Sequence, residues 1–270
     1  MTETDRNMMS NDLFRLDGRS VFLSGAAGHL GRAMSWALAR AGAHVILNGR
    51  TESTLHALQA ALAAEGLDST VAAFDITDRD KAASFLKRLA RLDVLVNNAI
   101  TGLPGKDGGG SAEAFQKALQ SGITVAYQNV EDALPALEAA ADAVGTASVV
   151  NITSVYSHVS PTFAIYGDSG LDSPPYYSAA KGGLLQLTRY MACRLAKSRV
   201  RVNSLSPGIF PWDEVERSHP AFIDAVSSRT PFGRPGRAEE IGGPIVFLAS
   251  DASSYMTGAD LIIDGGWTAQ

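Results

Sequence analysis

The 270-residue chain has a single cysteine, Cys193, and therefore no internal disulfide, which fits a reducing compartment. It has no basic excess: 23 Lys and Arg stand against 28 Asp and Glu, for a net charge of −5. Without a basic footprint the protein is expected to bind neither nucleic acid nor an anionic membrane surface. No segment approaches the ~20 apolar residues of a membrane span. The N-terminal stretch "MTETDRNMMSNDLFRLDGRS" contains no apolar run of signal-peptide length. A cytoplasmic protein with small-molecule partners is expected. The five histidines, His29, His44, His56, His158 and His219, show no ligand spacing, so no metal is expected. No period of 20 to 50 residues indicates a repeat array.

Hydrophobic residues make up 46% of the chain and charged ones 19%, enough apolar surface for one sizeable core. We expect a flexible polar arm over residues 1–15 and a single domain over 16–270. Short apolar runs alternate with longer amphipathic segments: "SVFLS" (20–24), "AHVILN" (43–48), "TVAAF" (70–74), "LDVLVNN" (92–98), "ASVVNIT" (147–153), "VRVNSLS" (200–206) and "DLIID" (260–264). Seven such strands, six separated by helical patterns, predict an α/β fold: a doubly wound parallel sheet with helices on both faces. Three segments break the rhythm, 101–111, 157–175 and 207–222. Each follows a strand, at the end where open α/β sheets bind ligands. Cys193 sits at helical spacing from Leu185 and Arg189, and is expected to pack in a helix and not to act as a nucleophile.

The first strand runs directly into "SGAAGHLG" (24–31) and then a helical pattern. Glycines at a strand-to-helix turn let the backbone approach a pyrophosphate, which the free N–H groups and dipole of the helix N-terminus favour. Gly25, Gly28 and Gly31 are the candidates. Further on, "PPYYSAAKGG" (174–183) places Lys181 four residues after Tyr177, on one helix face. An ammonium beside a phenol favours the phenolate and so eases proton transfer. Any helix can contain the same spacing by chance, and Tyr176 pairs at that spacing with Ala180 and not with Lys181.

These motifs together resemble the short-chain dehydrogenase/reductase family over about Leu16 to Thr268. "SGAAGHLG" is similar to its T-G-x-x-x-G-x-G, with Ser24 for Thr and His29 for the middle Gly. "NNAI" (97–100) looks like N-N-A-G, "FDIT" (74–77) like the adenine-contacting stretch, and "SPGIF" (206–210) like the segment lining the nicotinamide. The resemblance implies a Rossmann fold, an oxidoreductase that moves hydride between a nicotinamide and a secondary alcohol or ketone, and a homo-oligomer, dimer or tetramer. It implies Tyr177 as acid/base, Lys181 as the group that lowers its pKa and binds the ribose, and Ser154 as hydrogen-bond partner of the substrate oxygen. Cofactor contacts are expected from Ser24, Gly25, Gly28, His29, Leu30, Gly31, Arg50, Asp75, Ile76, Asn98, Ala99, Tyr177, Lys181, Pro207, Gly208 and Ile209. Tyr156, Tyr166, Phe210 and Trp212 are candidates for the substrate pocket.

At the end of the second strand, Gly49 occupies the place where family members using NAD carry Asp, and Arg50 follows. An arginine there suits a 2′-phosphate, so NADP(H) is the expected cofactor, with NAD(H) the alternative. The segment before Tyr177 is enlarged, putting Ser154 and Tyr177 23 residues apart (177 − 154), and it serves either the pocket or a plain surface loop. Gly122 stands where many relatives carry an asparagine of the proton relay. The substrate class by resemblance is a sugar, a sugar acid or another cyclic ketone; the aromatic residues would also suit an aromatic ketone. The alternative function is a non-redox dinucleotide sensor, which the departures at His29, Ile100 and Gly122 favour and the complete Ser154, Tyr177, Lys181 set opposes.

Overall fold

A computed structural model describes residues 11–100 and 111–270. Seven strands form one parallel sheet in the order β3-β2-β1-β4-β5-β6-β7: β1 Ser20–Ser24, β2 His44–Gly49, β3 Ser69–Ala73, β4 Val94–Asn97, β5 Ala147–Ile152, β6 Val200–Pro207 and β7 Asp260–Ile263. The expected strands are all present, with ends shifted by one or two residues at most. The glycine-rich segment 101–111 lies outside the described residues except for Ser111.

The side chains alternate as the pleat requires. Val21, Leu23, Val45, Leu47, Val94 and Val96 face one core layer, and Phe22, Ile46 and Leu95 face the other. The first layer is closed by helices α1 (His29–Arg40) and α2 (Glu52–Ala64) and, from the far end of the chain, by the helix Gly242–Ala249. The second is closed by α3 (Arg79–Leu86), α5 (Val125–Val144) and α6 (Pro175–Leu195); α4 (Ala112–Leu119) leads into α5 through one π-helical turn, Gln120–Thr124. Two faces of cover explain why β5 and β6 are buried along their whole length.

Local signals set the helix ends. Asp78 caps α3 by accepting from Lys81 N, and Ser111 caps α4 by accepting from Ala114 N. Gly145, at φ 94°, ends α5 with its N–H on Ala141 O. Pro175 opens α6, where its missing N–H costs nothing. Between β6 and β7 come α7 (Asp213–Ser218), α8 (Pro220–Arg229) and α9, the Gly242–Ala249 helix. The chain is structured before residue 16: Asn11–Phe14 form a short turn, and the Phe14 ring lies 6.3 Å from that of Phe247 on α9. Because the strand order reverses between β1 and β4, the loops at their C-terminal ends diverge and leave a crevice there.

Candidate active site

That crevice is a cavity of about 480 Å³ that runs from the ends of β1 and β2 to Ser154 and the first turn of α6. At its floor the glycine turn is built by steric necessity. Gly25 has φ +68°, and a Cβ there would meet Asn98 Nδ2 at 2.9 Å; a Cβ on Gly31 would sit 2.0 Å from Gly25 O. Ser24 is absent from the cavity wall and works behind it. Its Oγ donates to Val96 O (3.2 Å) and accepts from the N–H groups of Asn98 (2.9 Å) and Ala99 (3.0 Å). Asn98 Nδ2 returns to Ser24 O (2.9 Å) and Gly25 O (3.2 Å), so the "NNAI" loop and the glycine turn are one rigid unit. The first turn of α1, with no intrahelical partners for its N–H groups, opens above it.

One end of the cavity is lined by Arg50, exposed at the end of β2, with Thr51 and Thr54 beside it. Asp75 and Ile76 lie on the same wall; Asp75 Oδ1 is held by Thr77 N (2.8 Å) and Thr77 Oγ1 (2.7 Å). Gly28, His29, Leu30, Ala99, Pro207, Gly208, Phe210 and Trp212 also line the cavity. Ile209 does not. Its side chain packs with Phe222 and Trp267 in a satellite cluster, because neighbouring residues of an extended segment face opposite ways.

At the other end stand Ser154, Tyr177 and Lys181, all on the cavity wall. Ser154, buried just past β5, accepts from Tyr156 N (3.2 Å) and hydrogen-bonds with the Tyr177 phenol. Lys181 is buried, donates to Ile152 O at 2.6 Å, and holds its Nζ 5.8 Å from the centroid of the Tyr177 ring. Burial pushes the lysine down to about 8. Burial also pushes the Tyr177 phenol up, with the Ser154 hydrogen bond pulling part of the way back. The net direction at Tyr177 is thus upward, opposite to the lowering expected from the ammonium, because desolvation of the phenolate is the larger effect here.

Tyr156 and Tyr166, expected in the substrate pocket, are not on the cavity wall. Their hydroxyls are hydrogen-bonded to each other at 3.0 Å, and Tyr166 stacks on Phe222 of α8 at 5.7 Å. The enlarged 157–175 loop therefore builds a small core with α8. Tyr176 packs edge-on against Phe115 and next to Ala180. Cys193, expected in helix packing, is exposed: it shares the outer stripe of α6 with Gln186, Arg189 and Tyr190, while Leu185, Met191 and Leu195 take the core side. Gly122 lies in the π-helical turn, where a Cβ would meet Ala180 Cβ at 3.2 Å. Asn129 is held by Arg79 Nη1 (2.8 Å) and Asn97 (3.0 Å).

Two features escaped the sequence analysis. Thr54 reaches the cavity from the first turn of α2, three residues after Thr51, a spacing that was available as a signal. His158 was not recognisable: its Nε2 meets Asp260 Oδ2 at 2.8 Å across 102 residues, and Asp260 also accepts from Ser206 Oγ (3.0 Å).

A glycine cradle that any Cβ would fill, an exposed arginine at one end and a Ser-Tyr-Lys set at the other fit a nicotinamide dinucleotide. Residues 25–268 match the family described as Enoyl-(Acyl carrier protein) reductase. The chain belongs to the short-chain dehydrogenase/reductase family of NAD(P)-dependent oxidoreductases. It is 34% identical to the gluconate 5-dehydrogenase of Gluconobacter oxydans over 271 aligned positions, covering 97% of this chain and 99% of the relative. It is 32% identical to the trans-4-hydroxycyclohexanecarboxylate dehydrogenase of Sinomonas cyclohexanicum, with 97% of each covered. Among solved structures, the gluconate 5-dehydrogenase of Burkholderia cenocepacia J2315 in complex with NADP and tartrate superposes with a TM-score of 0.82 at 28% identity, over 96% of this chain and 98% of that one. No helix among the described residues is long and apolar enough to cross a membrane.

Proposed function

We propose that this protein is an NADP(H)-dependent oxidoreductase of secondary alcohols and ketones, with a sugar acid or another substituted cyclic ketone as substrate. The observation that carries the reading is the convergence of Ser154, Tyr177 and Lys181 on the same cavity as the glycine turn and Arg50. The bound nicotinamide supplies or accepts the hydride. Reduction leaves an alkoxide that needs a proton, and Tyr177 gives it while Ser154 holds the oxygen by a hydrogen bond. Lys181, fixed on Ile152 O, keeps a positive charge beside the phenolate that remains. In the oxidative direction the same groups act in reverse.

Arg50 with Thr51 and Thr54 supports NADP(H) over NAD(H), since a guanidinium and hydroxyls suit a 2′-phosphate. The sugar-acid and cyclic-ketone preference rests on the names of the two relatives above. Phe210 and Trp212 are the aromatic residues left to contact the substrate. A cytoplasmic homo-oligomer is part of the same proposal, with the outer stripe of α6 as the contact face. The test is a fluorescence titration with NADPH and NADH, followed by a carbonyl panel of keto sugar acids and cyclic ketones. NADPH binding tighter than NADH, with turnover on the panel, is the expected result; no binding of either dinucleotide contradicts the proposal.

A further inference from the structure

His29 is the first residue of α1, within the glycine turn, and Trp212 directly precedes α7, beyond β6. The two segments come from opposite walls of the cavity, and both residues line it. Their rings meet across it, with centroids 4.6 Å apart and planes inclined by 31°. His29 Nε2 is buried and has no hydrogen-bond partner among the described residues. Trp212 is 51% exposed, more than packing on a core would leave it. A bulky ring at a position that the glycine pattern of the turn does not require, paired with a half-exposed tryptophan, is costly to keep unless the pair does something at the cavity mouth.

We propose that His29 and Trp212 form a clasp that retains the dinucleotide in the cleft. The proposal rests on the reading of that cleft as the NADP(H) site. The glycine turn is tied to the "NNAI" loop through Ser24 and Asn98. Trp212, by contrast, leads into α7 and α8, and α8 is anchored through Phe222 and Val226 to Ile165 and Tyr166 of the loop that follows Ser154. Parting the stack therefore frees the α7 end of this segment from the phosphate-side wall, and closing it joins the two walls over whatever lies between them. The pair is a positioning device: it acts on the lifetime of the complex and takes no part in proton or hydride movement. Its unpartnered Nε2 also leaves one hydrogen-bonding atom at the helix N-terminus where an anionic diphosphate is favoured.

The experiment is stopped-flow displacement of NADPH by excess NADP⁺, read by the nicotinamide fluorescence, with wild type, His29→Gly, Trp212→Ala, Trp212→Phe and the double variant His29→Gly/Trp212→Ala. An aromatic pair of this kind predicts release about 3- to 10-fold faster in His29→Gly and in Trp212→Ala, with association, which the stacked pair also obstructs, no slower than in wild type. Trp212→Phe keeps a ring and stays near wild type. The double variant is no faster than the faster single, since either change already opens the clasp. Thermal melts confirm that each variant is folded; Trp212→Ala, at an exposed position, carries the test if His29→Gly is not. Release at the wild-type rate in Trp212→Ala, or effects that multiply in the double variant, overturns the clasp while leaving the proposed function standing. A wild-type protein that binds no NADPH overturns the proposed function and the clasp with it.

Discussion

Asp260, at the start of β7, holds the chain on both sides of Ser154: it pairs with His158 Nε2 at 2.8 Å and accepts from Ser206 Oγ, which in turn lies 2.7 Å from Thr153 Oγ1. Its side chain is 8% exposed. Asp260→Ala leaves His158, Ser204 and Ser206 without their shared acceptor. A loss of about 1.5–3 kcal/mol in urea unfolding is expected, the range for a hydrogen bond to a charged group. The loosened residues flank Ser154 and Pro207 but leave the glycine turn and Arg50 in place, so NADPH affinity should fall less than stability does. An Asp260→Ala protein as stable as wild type would show that the cluster is ornamental.

Lys181 makes the stability depend on pH in a definite direction. Burial lowers its folded pKa to about 8 from an ordinary 10.5. Below about pH 8 both states carry the ammonium, and folding bears the full cost of burying it. Between about 8 and 10.5 only the unfolded state stays protonated, so this contribution makes stability rise with pH; above 10.5 it is constant. Relative to Lys181→Met, wild type should therefore gain stability from pH 7 to pH 10, measured by denaturant unfolding. A difference between the two proteins that is flat or falls over that range would contradict the burial of a charged lysine.

Much of this was legible in the chain. The strands announced themselves as two-sided apolar runs, because a parallel sheet with helices on both faces favours apolar residues on both sides of a strand, as in Val94–Val96. Glycines that the backbone demands, such as Gly25 and Gly31, stood out for the same physical reason. The pairing of Tyr156 with Tyr166 and the stacking of Tyr166 on Phe222 were not legible, because Phe222 is more than fifty residues further along. Cys193 was misjudged because α6 has one outer stripe, and periodicity alone does not say which of its faces that is. Contacts such as His158 with Asp260 and His29 with Trp212 depend on the closing of the whole fold and have no local signature.

Cofactor preference is expected to reside at the end of β2. In Gly49→Asp/Arg50→Ile the new carboxylate accepts ribose hydroxyls and repels a 2′-phosphate, which should turn the preference from NADPH toward NADH. A Cβ at residue 49 would lie 3.3 Å from Leu55 Cδ2, the end of a flexible side chain that yields by a few tenths of an ångström, so the variant should fold. Dissociation constants for both cofactors decide the matter. A wild type that binds NADH as tightly as NADPH would remove the role given to Arg50.

Assembly should follow the outer stripe of α6. Tyr190 is 60% exposed there, beside Gln186 and Cys193. Trp267 is buried inside its own chain at 2% exposure and contributes only to its own core. Light scattering at micromolar concentration should show an oligomer in wild type and a smaller species in Tyr190→Glu. A wild-type monomer would contradict this.

Tyr177 is the proposed proton donor, and Tyr177→Phe tests that role most directly because the ring and its packing remain. With a carbonyl substrate from the panel, NADPH affinity should be preserved while kcat falls by at least ~10²-fold, the usual contribution of a general acid. Tyr176→Phe, one residue away and packed on Phe115, should stay within a few fold of wild type. If Tyr177→Phe reduces the substrate at a rate near that of wild type, the proton comes from elsewhere and the proposed mechanism is wrong.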